Sequence, residues 1–242
     1  MNDPNKLVFW DHLEELRWRL FKCIFSIIIF SIISFIYSDI LMEILIAPTK
    51  ELSVNLNLQV LKVTSMFTIK LGIALMGGFI LSIPIVIFQF WQFVSPAIED
   101  NYTVQVIGIV LFSSIFFFSG LSFAYTIIIP YTLSFFTSMT FENFPVNYNY
   151  TLDGYLSYIL WLILSCGLLF QLPVVTFFFS KIGLLTPSFL RHYRKYIFVF
   201  FLIISAILTP PDPLSQILIV IPLMILYEFS IFMSWLIHRN SS

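Results

Sequence analysis

The stretch Trp10–Leu20 gathers Asp11, His12, Glu14, Glu15, Arg17 and Arg19 within two to three helical turns. In a helix, Glu14–Arg17 and Glu15–Arg19 stand at i,i+3 and i,i+4, the spacings at which opposite charges pair. Asp11 is placed to cap the start of such a helix, with Glu14 at the third position favoured in capping boxes. Leu13, Leu16 and Leu20 fall on one face. Taken alone, the pattern describes an amphipathic lead-in helix lying at a membrane interface and laced with internal ion pairs. Carboxylates here, and again at Glu99 and Asp100, are suited to receiving cationic groups.

Other reactive chemistry is sparse. His12, His192 and His238 are too far apart for a metal motif and read as interfacial residues, so no metal or cofactor is expected. No phosphate loop, nucleophile elbow or zinc signature occurs, and an enzyme is not expected. Cys23 and Cys166 each sit inside an apolar run and read as small packing residues. Gln171 is the one strongly polar side chain deep in an apolar run, followed by Leu172-Pro173. Its amide can satisfy a carbonyl freed by the proline, bond to a neighbouring helix, or face a polar groove.

The elements that carry these residues follow from composition. The 242-residue chain is 59% hydrophobic, 19% aromatic and only 10% charged, with mean hydropathy +0.96. A soluble globule of this length cannot hide so much apolar surface. The apolar residues form continuous runs, which excludes a barrel and implies an all-α integral membrane protein. The net charge of −1 provides no field to attract nucleic acid, and the partner expected from bulk composition is the lipid bilayer.

Apolar runs place spans near Leu20–Tyr37, Met66–Phe90, Val104–Ile129 (halted by Pro130) and Tyr155–Ser180, with a polar stretch over Ser38–Ser65. Two short runs follow, Tyr196–Leu208 and one from Leu214 that meets Glu228 before its end. Thirteen residues make a helix of about 20 Å, below the hydrocarbon thickness of about 30 Å. These two runs form either a re-entrant hairpin or two short spans, the second being preferred. Nine of the twelve basic residues fall on one side of this arrangement. Both termini are therefore expected on the cytoplasmic or matrix side, with six spans in a single membrane domain over residues 1–242.

The stretch His12-Leu13-Glu14-Glu15-Leu16-Arg17 resembles the signature of the TatC family, the multi-spanning receptor of the twin-arginine protein translocase. Further motifs extend the resemblance over nearly the whole chain. They are Ala47-Pro48, Ile83-Pro84, Gln89-Phe90-Trp91-Gln92-Phe93-Val94-Ser95-Pro96, Phe123-Ala124-Tyr125 through Pro130, Gly167 through Val174, and Leu208 through Gln216. The resemblance implies a non-catalytic core subunit that binds twin-arginine signal peptides of folded cargo. It also implies assembly with small single-span subunits into a homo- or hetero-oligomer.

A twin-arginine motif presents two planar, permanently charged forks, for which carboxylates are natural acceptors. By its position in the motif Glu15 is expected to carry that contact, with Glu14 beside it and Arg17 holding the helix geometry. The family glutamate of the first cytoplasmic loop is replaced here by Tyr102, and Glu99 or Asp100 could substitute for it. Pro48, Phe93 and Pro96 are expected to shape helix ends and loops, and Gln171 and Asp212 to serve structure and assembly. Asp212 or Ser215 could also cap the last helix. A small-solute transporter or channel subunit is the alternative, but midplane charges are lacking. Heavy use of Phe, Ile, Tyr and Asn suits an AT-rich genome, which points to a mitochondrial inner membrane, with a bacterial plasma membrane as the other possibility.

Overall fold

A computed structural model of the protein describes residues 4–50, 57–94, 102–138, 149–209 and 213–240. They fold into helices α1 (Pro4–Ile36), α2 (Ser38–Lys50), α3 (Ser65–Val94), α4 (Tyr102–Phe123), α5 (Ile129–Ser138), α6 (Leu152–Leu169), α7 (Leu172–Lys181), α8 (Pro187–His192), α9 (Arg194–Leu208) and α10 (Pro213–Asn240). A π-helical turn, Ala124–Ile128, joins α4 to α5. Strands β1 (Asn57–Gln59) and β2 (Asn149–Thr151) pair in parallel, with Leu58 opposite Tyr150. Among the described residues, five helical stretches are long and apolar enough to cross a membrane: His12–Ile36, Ser65–Phe93, Ile107–Ser138, Leu152–Lys181 and Pro213–Arg239. The protein is a multi-pass helical membrane protein.

The chain divides into two compact units, residues 1–39 with 70–114 and residues 40–69 with 115–242. In the first, α1 packs on α3 where Ser31 meets Gly78. A Cβ added to Gly78 would lie 2.5 Å from the Ser31 backbone nitrogen, so only glycine permits this approach. Small residues at crossings are how helices gain contact in lipid, where the hydrophobic effect does not drive them together.

In the second unit α6 is central. Leu152, Tyr155, Leu156, Ile159, Leu162, Ile163 and Cys166 are buried at three- and four-residue intervals, one continuous stripe of a helix. Gly120 of α4 faces the Cys166 carbonyl and Gly167 of α6 faces Phe117, at distances that exclude a Cβ on either. Hydroxyl pairs fasten α10 to its neighbours: Ser215 to Thr132 at 3.0 Å and Ser234 to Ser180 at 2.8 Å. Helix α7 ends at Gly183 (φ +80°), whose amide bonds Ser180 while Leu184 bonds Phe179. This is the Schellman arrangement that needs a left-handed residue.

Several expectations are corrected. Helix α1 begins at Pro4, so Asp11 lies within it and is not its cap. The stretch expected to be polar after the first span contains the 13-residue α2, with Asp39 in its first turn and Lys50 in its last, each suited to the helix dipole. Pro130 does not halt the third span. The Ile129 amide bonds Ala124, five residues back, and this wider turn relieves the clash a proline ring makes with the carbonyl four residues before it. The last helix is not short. It runs 28 residues, about 42 Å, and passes Glu228 because Arg194 pairs with that carboxylate at 2.6 Å. Ser215 lies inside it rather than capping it, while Asp212 is outside the described residues. Helix α9, with 15 residues, is short as expected.

Pro48 sits within α2 and is buried. It has no N–H, so the Ile44 carbonyl loses its helical donor. The Tyr125 hydroxyl donates to that carbonyl at 2.8 Å, and Tyr155 donates to the neighbouring Leu45 carbonyl at 3.0 Å. Two tyrosines thus hold α2 at the turn that its proline leaves open. Tyr125→Phe is expected to cost about 1 kcal/mol, and less in a Pro48→Ala background that restores the amide donor. Thermal unfolding of the purified single and double variants measures the difference, and equal losses in the two backgrounds would uncouple the residues.

Candidate functional site

The charged cluster of α1 forms a network with the far end of α3, both in the first unit. Arg19 donates from Nε to Glu15 Oε1 at 2.9 Å, and its Nη2 reaches the same oxygen. Its Nη1 donates to Gln92 Oε1 at 2.8 Å, with Gln89 Oε1 at 3.5 Å. The Arg19 side chain is 15% exposed and Glu15 34%. His12 Nδ1 lies 3.5 Å from Glu15 Oε2, and the His12 ring meets Phe93 edge-on at 5.8 Å between centroids.

The two glutamates are thereby made unequal. Glu14 points outward, 63% exposed, and pairs with Arg17, which is 70% exposed. An ion pair so open to solvent contributes little. Arg17 also lies near the Trp18 ring, 5.8 Å from its centroid. Glu15 is half-buried, and its Oε1 is shared with Arg19, a fork whose remaining donors are tied to the two glutamines. The expected i,i+3 and i,i+4 pairs are both present. Glu15 therefore has a resident partner one turn on, because Arg19 is the residue that faces α3.

Of the other anticipated residues, Phe93 joins this cluster through His12, and Pro48 belongs to the separate α2 arrangement of the second unit. Gln171 is half-buried at the break between α6 and α7, where its carbonyl accepts from the amides of Val174 and Val175. Its side chain does not cap the helix, and the anticipated bend falls where Pro173 occupies the first turn of α7. Glu99, Asp100, Pro96 and Asp212 lie outside the described residues. Among the described residues no three His, Cys, Asp or Glu side chains gather to hold a metal.

Sequence reasoning missed Gln89 and Gln92. Their signal was present: two amides three residues apart, hence on one helix face, where an apolar run ends at Trp91. In the second unit Gln216 is used differently. Its amide donates to the Leu202 carbonyl at 2.8 Å, and its own carbonyl accepts from Ser205 at 2.8 Å, tying α9 to α10.

Long apolar helices joined by polar residues at their ends define a multi-pass membrane protein with a charged cluster on one helix terminus. The family model described as Sec-independent protein translocase protein (TatC) matches residues 11–222, and the chain belongs to that family. It is 33% identical to the Sec-independent protein translocase protein TatC of Blattabacterium from Periplaneta americana, over 99% of each chain. It is 35% identical to the TatC of Aquifex aeolicus, over 95% of each. A crystal structure of the twin-arginine translocase receptor TatC superposes with a TM-score of 0.82 at 36% identity, covering 94% of this chain and 100% of that one. The relatives are bacterial and lend no support to the mitochondrial compartment suggested by composition.

The network predicts a ranking of substitutions. Arg19→Met strands a half-buried carboxylate and is expected to destabilise most, by about 2–3 kcal/mol. Gln92→Ala should cost about 1–2 kcal/mol, and Gln89→Ala, at the longer distance, less than Gln92→Ala. Thermal unfolding of the purified variants orders them; a Gln89 effect equal to that of Gln92 would contradict the geometry.

Proposed function

We propose that this chain is the signal-peptide receptor and core subunit of a twin-arginine translocase, with Glu15 as the acceptor of a signal-peptide arginine. The observation that carries the reading is the position of Glu15: half-buried, oriented by Arg19, and with Oε2 facing the exposed His12 edge rather than the guanidinium. A carboxylate fixed in a partly desolvated site attracts a guanidinium more strongly than one free in water. A planar arginine fork can bridge its oxygens, whereas a lysine binds as a point charge. Glu14 supplies a second, more exposed carboxylate, and Glu99 or Asp100 supplies a carboxylate in place of the family residue at Tyr102. Phe93 adjoins the cluster through His12, and Pro96, outside the described residues, shares its motif.

In this reading the chain crosses the membrane six times as one domain, counting the short α9, with both termini on the cytoplasmic side of a bacterial plasma membrane. The distribution of lysine and arginine supports that orientation. Small single-span subunits are the partners, and Pro48, Gln171 and Asp212 serve the assembly. The receptor performs no catalysis itself; the energy for transport comes from outside this chain.

Crosslinking of a twin-arginine precursor to the membrane-inserted protein tests the role of Glu15. Glu15→Ala and Glu15→Lys are expected to abolish the crosslink, and Glu14→Ala to weaken it less than about threefold. A twin-lysine precursor should bind the unmodified receptor about tenfold or more weaker. Undiminished crosslinking to an inserted Glu15→Ala protein would refute the assignment.

A further inference from the structure

The first unit holds an apolar cavity of about 320 Å³ that is open on one side, where Ile28, Ile32, Ile36 and Leu75 are exposed. Ile28, Ser31, Ile32 and Phe35 of α1 and Leu71 and Ala74 of α3 are among its lining residues, and the Ser31 hydroxyl is itself buried. On α1 the lining extends from Ile27 to Ile36, a rise of about 14 Å. Next along the chain from the lining residues Ile36 and Leu71, the nearest charged residues are Asp39 and Lys70. These two form an ion pair at 2.8 Å, and their side chains are 78% and 37% exposed.

We propose that this cavity seats an acyl chain of a phospholipid whose headgroup is zwitterionic and carries a primary ammonium, laid across the Lys70–Asp39 pair. The cavity lies along two helices long and apolar enough to span a membrane, where hydrocarbon is the surrounding solvent. An unfilled apolar cavity forfeits dispersion contacts that a lipid chain restores.

The ion pair selects the headgroup. The Lys70 ammonium has three donors, and a phosphate can take one that Asp39 does not use. The exposed Asp39 carboxylate has further acceptor sites for an ammonium N–H. A choline headgroup donates no hydrogen bond to Asp39, and a phosphoglycerol headgroup brings no cation to it. Phosphoethanolamine satisfies both partners at once.

Native mass spectrometry of the full chain in detergent tests this. Phosphatidylethanolamine, phosphatidylcholine and phosphatidylglycerol with identical acyl chains are added at equal concentrations. The ethanolamine lipid is expected to be retained about tenfold over either competitor, roughly the effect of one charge-assisted bond. Ala74→Leu, which narrows the cavity, should lower retention of that lipid. Asp39→Asn, at an exposed position that leaves packing intact, should abolish its preference over choline, and decides the matter if Ala74→Leu fails to fold. Equal retention of the three lipids, or a preference untouched by Asp39→Asn, would overturn the proposal. So would protection of Leu75→Cys from an apolar maleimide by a co-expressed single-span subunit but not by phosphatidylethanolamine.

Discussion

In hydrocarbon, a backbone carbonyl or hydroxyl has no water to turn to, and helices gain nothing by hiding apolar surface from lipid that is equally apolar. Each feature that fixes this structure answers that constraint. Glycines let α1 meet α3 and α4 meet α6 at backbone distance. Serine and threonine hydroxyls bridge α10 to α7 and to the segment ahead of it. Where Pro48 withholds an amide, a tyrosine hydroxyl from another helix takes its place. The many leucines, isoleucines and phenylalanines on the outside make the chain soluble in lipid but do little to choose one arrangement over another; a small number of polar atoms does that.

The charged end of α1 follows the same economy. Arg19 could not remain half-buried without Glu15, and Glu15 could not remain so without Arg19. Gln89 and Gln92 then complete the guanidinium's hydrogen bonding with neutral acceptors that add no charge. The result is a carboxylate whose direction is set from behind. A second guanidinium arriving at Glu15 would share it with Arg19, and the amides offer Arg19 other acceptors while it does so. On the proposed function, recognition at Glu15 would rest on how the resident arginine redistributes its bonds.

Much of this was legible in the residues. Pairing of Glu14 with Arg17 and of Glu15 with Arg19 follows from helical spacing alone, as does the long apolar character of α3 and α6. The failures share a cause: each came from reading a local signal as final. Pro130 looks like a stop because an α-helix cannot accept it without relief, yet a π turn gives that relief. Glu228 looks like the end of the last span because its partner, Arg194, lies 34 residues away. Helix α2 looks like polar linker because its proline and charges obscure a helix whose stability comes from tyrosines 81 and 110 residues distant. Long-range partners of this kind leave no periodic trace.

The π turn has a consequence for how this chain tolerates changes in length. It amounts to one residue added to an α-helix, and everything after it is rotated by about 100° relative to an uninterrupted helix of the same length. Thr132 faces Ser215 with that rotation in place. Deleting a single residue between Ala124 and Ile128 would convert the turn to ordinary α-helix and leave Thr132 facing Ser215, because the wider turn is what absorbs the extra residue. In this part of the molecule a lineage could gain or lose one codon without altering the seating of α5 on α10; what it would lose is the relief that the wider turn gives Pro130.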